Sequence, residues 1–195
     1  MSKTKKTLTL VLSFVLVIAL TIAGTIAYLT STTSTVKNTF TVGKVNIKLD
    51  EVKVDEYGVE DSTATGRVTE NEYKLLPGHE YTKDPTVHFL KDSEKSYLFV
   101  KVVDGLAAIE ADTTVAAQIT ANGWTALDGV ANVYYKVVDA ATADTDYVVF
   151  ESFKLKDDAA VEDYADATIE ITAYAIQFDG LASASAAWTA GGFGA

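Results

Sequence analysis

The side chains best suited to chemistry in this chain are two histidines, His79 and His88, set among many carboxylates. Zinc hydrolysis needs two histidines four apart on one helix with a glutamate between, so that both rings face one ion and the carboxylate activates water. Here His79-Glu80 runs on through Tyr81, Thr82, Lys83, Asp84 and Pro85, and the second histidine stands nine positions later, across the proline. That stretch cannot be a helix carrying the triad. His79 reads as a turn-surface residue and His88 as a strand residue. Cysteine is absent, so there is neither a thiolate nor a disulfide. No serine sits in a Gly-x-Ser-x-Gly elbow, and no glycine loop of the phosphate-binding kind occurs. The acidic pairs Asp144 and Asp146, and Asp157 and Asp158, lack the ligand order of a calcium loop and read as solvated turns. Trp124, Tyr134, Tyr135 and Trp188 are candidates for a sugar platform, yet aromatics in a β protein more often pack against strands. The sequence therefore points to no catalytic residue, no cofactor and no metal.

What the chain does carry is an export pattern. Lys3, Lys5 and Lys6 precede an uncharged run whose apolar part spans residues 8–22, a surface too greasy to leave in water. Thr25 and Ala27 provide the small residues that a signal peptidase requires at minus three and minus one. Cleavage is expected between Ala27 and Tyr28, leaving residues 1–27 as a signal peptide and the membrane engaged through it alone. An uncleaved anchor, held by its lysines on the inner side, is the alternative. Cleavage removes three lysines and no acid, which takes the formal charge from −11 to −14. Such a surface repels nucleic acid and anionic lipid.

The remaining residues, 28–195, fit one domain. Residues 28–38 are polar and β-branched, an extended segment with no anchor of its own. Residues 39–49 alternate apolar and polar, with the parity slipping at Gly43, which reads as one strand with a bulge. Residues 55–72 read as an acidic, solvated loop or loose hairpin. Leu75-Leu76-Pro77-Gly78 predicts a type II turn, with Pro77 fixing φ at the first corner and Gly78 accepting positive φ at the second. Strands are expected over 86–90, 96–103, 130–138, 147–155 and 167–178. The run at 96–103 is apolar on both faces except at Lys101, which predicts a central strand. The third and fourth of these strands are expected to form a hairpin across an Asp-, Ala- and Thr-rich turn at 139–146. Short helices are expected over 114–121, ended by Asn122-Gly123, and over 181–188, before a loose glycine tail. The pattern gives an all-β fold of two packed sheets with one or two short helices.

Several landmarks, taken in order, resemble the TasA/camelysin family of exported proteins processed by the SipW type of signal peptidase. They are Gly24-Thr25-Ile26-Ala27-Tyr28-Leu29 at the signal end, Phe40-Thr41-Val42-Gly43-Lys44-Val45-Asn46-Ile47 as an entry strand, and Leu75-Leu76-Pro77-Gly78 with the later Thr82-Lys83 pair. The apolar run at 96–103 and the closing Gln177-Phe178-Asp179-Gly180-Leu181 complete the set, which covers about half of the chain. Residues 55–72 and 104–166 match nothing in the family pattern. The resemblance implies a jelly-roll-like β-sandwich over residues 39–195 and secretion to a bacterial surface or biofilm matrix. It also implies a homo-oligomeric, head-to-tail fibre. Residues 28–38 would then add as a strand to a neighbour's sheet, with Tyr28, Leu29 and Val36 filling pockets. A disordered tail is the plainer alternative for that segment. A monomeric surface adhesin and, given the peptidase label some members carry, a metallopeptidase are the rival functions.

Overall fold

A computed structural model describes Lys5, residues 43–111 and residues 113–194. The chain divides into two compact units, Met1–Thr41 and Val42–Ala195, and every strand described lies in the second. Nine strands pair antiparallel throughout: β1 (Ile47–Asp50), β2 (Glu80–Thr82), β3 (Thr86–Phe89), β4 (Ser96–Asp104), β5 (Thr125–Ala126), β6 (Val133–Val138), β7 (Thr145–Val148), β8 (Ser152–Lys154) and β9 (Ile169–Gln177). In this second unit the described residues also form two short helices, α1 (Val115–Ala121) and α2 (Ala184–Gly191), and a 3₁₀ turn at Val161–Tyr164. The protein is thus predominantly antiparallel β.

β4 organises the body. It lies between β6 and β9 in a four-stranded sheet ordered β5-β6-β4-β9. Its alternation buries both faces: Leu98, Val100 and Val102 point into the main core, while Tyr97 and Phe99 point into a second apolar cluster. Each fully buried Leu or Val contributes about 1.5–3 kcal/mol relative to exposure, which is why this run occupies the centre. Lys101 and Val103, at the far end of the second face, stay exposed. The main core also draws Val87 and Phe89 from the three-stranded sheet β1-β3-β7 and Tyr81 and Phe153 from the two-stranded sheet β2-β8. The layer facing the four-stranded sheet is therefore two small sheets, where a single sheet was expected. The division arises at residues 149–151. Val149 and Phe150 are consecutive, fully buried and both part of the same main core, whereas successive side chains of a pleated strand point to opposite faces, so the chain turns there. The expected strand at 147–155 becomes β7 and β8 in different sheets.

The Gln118 side chain on α1 holds this corner, accepting from the Glu151 and Ser152 amides at 3.1 and 3.2 Å and donating to the Ser152 carbonyl at 2.8 Å. α1 itself starts where expected: Thr114 is its N-cap, with Oγ1 accepting from the Ala117 amide, and Gly123 takes φ of 76° just past its end. The expected hairpin between 130–138 and 147–155 does not form, because β6 pairs with β4 and β7 pairs with β3. The intervening segment crosses between sheets, tied to the β3–β4 turn by Ala141 N to Ser93 O and Asp92 N to Ala141 O.

Two further expectations change at the ends. Among the described residues the ladder of the entry strand starts at Ile47, and residues 39–42 lie outside them. Among the described residues, Gly43 has no left-handed φ of the bulge kind, and a Cβ there would meet Glu94 Cγ at 2.8 Å. Residues 44–46 run beside 90–94 through irregular bonds such as Leu90 N to Asn46 O. The glycine tail is not loose up to residue 194. Gly192 ends α2 in the left-handed conformation, and Phe193 turns back onto Phe99, Tyr174 and Trp188.

Candidate strand-binding groove

Among the described residues, β1 and β9 each pair on one side only, and their open edges flank one groove. The groove has a volume of about 680 Å³. β9 places Ile169 and Ile171 toward the core at alternate positions, as the sequence alternation implies, and both remain half-buried. Leu49 of β1, Leu75, Leu106 and Phe153 supply the rest of the apolar lining. The wall at one end is polar, formed by residues 69–72 together with Glu51 and Lys83.

That polar wall is fixed by a network the sequence reading did not find. Residues 55–72 are not merely solvated. Backbone bonds join Glu51 and Val68 in both directions, and Arg67, the only arginine in the chain, reaches into the sheet. Arg67 Nε donates to Asp50 Oδ1 at 2.5 Å, Nη1 to Asp84 Oδ2 at 2.9 Å, and Nη2 to the Asp84 carbonyl and Thr86 Oγ1 at 2.9 and 3.0 Å. Asp50, 3% exposed, also receives His88 Nε2 at 2.8 Å and lies 2.6 Å from Lys48 Nζ. Burial alone would raise the Asp50 pKa, but hydrogen bonds from Lys48, His88 and Arg67 outweigh it and pull it down to about 2. Burial likewise works to lower the His88 pKa, and its bonds to Asp50 and Asp146 prevail and raise it. Lys48, His88 and Asp146 are cross-strand partners on β1, β3 and β7, so the network staples the outer face of the three-stranded sheet. The lone arginine and an acid ending the 45–49 alternation were the available signals. Neither reveals its partners, which apart from the nearby Lys48 lie 17 to 38 positions away.

Beside this network, Glu51 accepts from Lys83 Nζ at 2.6 Å and from Asn71 Nδ2 at 2.9 Å. Tyr73 covers the pair, its hydroxyl donating to the Thr82 carbonyl at 3.0 Å. Burial, followed by the charges of Glu51 and Asp84, pushes the Tyr73 pKa up, so the hydroxyl keeps its proton.

Of the residues singled out in the sequence, Pro77 and Gly78 form the expected turn: Gly78 has φ of 72°, and His79 N donates to Leu76 O at 3.2 Å. Ala27, Tyr28, Leu29 and Val36, the cleavage and polymerisation residues, lie outside the described residues. His79 Nε2 is 2.9 Å from the Tyr57 carbonyl oxygen and its ring meets Tyr81 edge-on, while His88 belongs to the Asp50 network. The two histidines are thus committed to different hydrogen bonds. Among the described residues no group of three or more His, Asp or Glu side chains is arranged to hold a metal ion. Trp124 and Trp188 are buried, and Tyr134 and Tyr135 pack into different clusters on opposite faces of β6, so the four aromatics form no shared platform. Asp144 accepts from the Lys91 amide and Asp146 from His88, so this acidic pair serves the fold. Comparison with protein-family models, curated proteins and solved structures finds no match for this chain.

Proposed function

We propose that this chain is an exported structural subunit of a bacterial surface or extracellular matrix, and that its copies join head to tail by strand addition. In this reading export removes residues 1–27, the body is a jelly-roll-like β-sandwich of the TasA/camelysin kind, and residues 28–38 of one copy fill the groove between β1 and β9 of the next. The observation that carries it is the pair of open strand edges flanking a groove with apolar lining and a polar wall. An edge strand offers unpaired N–H and C=O groups and invites a partner strand, and half-buried isoleucines beside it reward a partner that brings apolar side chains.

Length supports the match. Nine-residue β9 spans about 30 Å at about 3.3 Å per residue, and residues 28–38 fully extended reach about 36 Å. Tyr28, Leu29 and Val36 supply the apolar contacts. A contact made by an arm on one copy and a groove on another is heterologous and does not close, so it grows as a filament. Electron microscopy of the purified chain beginning at Tyr28 tests this. Filaments are expected, and the chain lacking residues 28–38 should remain monomeric. Monomers from both samples would leave a monomeric surface module as the function.

A further inference from the structure

We propose that Lys83 and Asn71 are joined by an internal isopeptide bond whose formation Glu51 promotes, with loss of ammonia. This goes beyond the assembly reading and does not depend on it. Glu51, 5% exposed, holds the amine of Lys83 on Oε2 at 2.6 Å and the amide nitrogen of Asn71 on Oε1 at 2.9 Å. One buried carboxylate thus touches both the attacking nitrogen and the leaving nitrogen. A structural ion pair needs only the first contact. Lys83 is itself buried, 8% exposed, with its Nζ 5.8 Å from the centre of the Tyr73 ring. Asn71 is fixed in orientation: its Oδ1 accepts from the Val54 amide at 3.1 Å, and Nδ2 also donates to the Val52 carbonyl at 2.8 Å. The Val54 N–H therefore points at the oxygen on which negative charge develops.

The bond change balances without an added reactant. Glu51 takes a proton from Nζ, and the neutral amine, a good nucleophile once desolvated, attacks Asn71 Cγ and drives its π electrons onto Oδ1. Glu51 then gives its proton to Nδ2 and takes a second one from Nζ. The Oδ1 electrons re-form the carbonyl, the Cγ–Nδ2 bond breaks, and Nδ2 leaves as ammonia. Ammonia takes the proton from Glu51 as it departs, so ammonium leaves and the carboxylate is restored. The product is a secondary amide between Nζ and Cγ. In a chain with no cysteine, such a bond supplies the covalent staple a disulfide would otherwise give, and it fixes the polar wall of the groove.

Peptide mapping of the denatured full-length protein tests the bond directly. Trypsin cuts after Arg67, Lys74 and Lys91 and cannot cut after an acylated Lys83. The expected product is a branched species of peptides 68–74 and 75–91, lighter than the sum of the two by one ammonia. Lys83→Arg and Glu51→Gln should each yield linear peptides of full mass. Cleavage after Lys83 with full-mass peptides in the unsubstituted protein overturns the proposal, whether or not either variant folds. So does ammonia loss confined to peptide 68–74, the mark of a succinimide at Asn71. A branched peptide persisting in Glu51→Gln would remove Glu51 from the chemistry.

Discussion

The two faces of the four-stranded sheet are finished in different ways. On one face Tyr97, Phe99 and Tyr174 are sealed by α2, with Trp188 at 5.3 Å from Phe99 and 5.4 Å from Tyr174, and Phe193 stacked 4.8 Å from Tyr174. On the other face Val100 and Val102 are buried, yet Ile169 and Ile171 at the β9 edge remain half-covered beside the groove. A helix and a C-terminal aromatic close the first face, and the two small sheets close most of the second, leaving only the β9 edge half-covered. Under the assembly proposal, that half-covered β9 margin is where a neighbour's strand docks.

Substitution on the two faces should separate them. Trp188→Ala removes the centre of the sealed cluster and should cost about 3–5 kcal/mol, read as a lower denaturation midpoint in urea. A loss under about 1 kcal/mol would mean that α2 does not close that face. At the groove's polar wall, Arg67→Ala leaves Asp50 buried with fewer partners and should cost about 3 kcal/mol by the same measurement.

Acid should weaken that wall in a defined window. Asp50 has a folded pKa of about 2 against an ordinary 3.8, so its contribution is complete above about pH 4 and is lost as pH falls toward 2, about 2 kcal/mol in all. His88 has the opposite sign: its pKa is raised, so its contribution is complete below its ordinary value of 6.5 and fades as pH rises through the folded value. Chemical denaturation from pH 2 to 9 should therefore show greatest stability between about pH 4 and 6.5 from these two groups, and Arg67→Ala should flatten the acid limb.

Smaller effects belong to the turn and the open edge. Gly78→Ala places a side chain at φ of 72° and a Cβ 2.6 Å from Asp157 Oδ1, for a loss of about 1–2 kcal/mol. Ile171→Ala, at a half-buried position, should cost the isolated subunit only about 1 kcal/mol. The same change should reduce filament yield sharply by electron microscopy. Equal losses of stability at Ile171 and Trp188 would erase the contrast between the faces.

Features governed by neighbours in sequence were legible there. The Pro77-Gly78 turn, the Thr114 cap and the Gly123 end of α1 each depend on a few adjacent residues, and the two-faced apolar run of β4 marks a central strand by composition alone. Pairing was harder to read. Tyr147 to Leu155 is rich enough in Val and Phe to look like one strand, and what breaks it between two sheets is that neighbouring Val149 and Phe150 both enter the same core. The same long-range choice turned an expected hairpin into a crossover. The groove wall was the least visible part, since Asp50, Arg67, His88 and the Glu51, Asn71 and Lys83 contacts meet across many positions with no spacing rule to announce them. Phe193 was hidden among glycines that suggested a free tail.

The most direct test uses the absence of cysteine. One population of the chain beginning at Tyr28 carries Val36→Cys or Leu29→Cys, another carries Thr172→Cys at the groove's exposed β9 margin, and the two are mixed and oxidised. Strand addition between copies predicts disulfide-joined pairs of unlike chains on a non-reducing gel, reduced when excess unsubstituted chain beginning at Tyr28 competes for the groove. If no unlike pairs form, while a chain carrying both substitutions closes an internal disulfide, the groove is filled from within the same copy and the assembly account is contradicted.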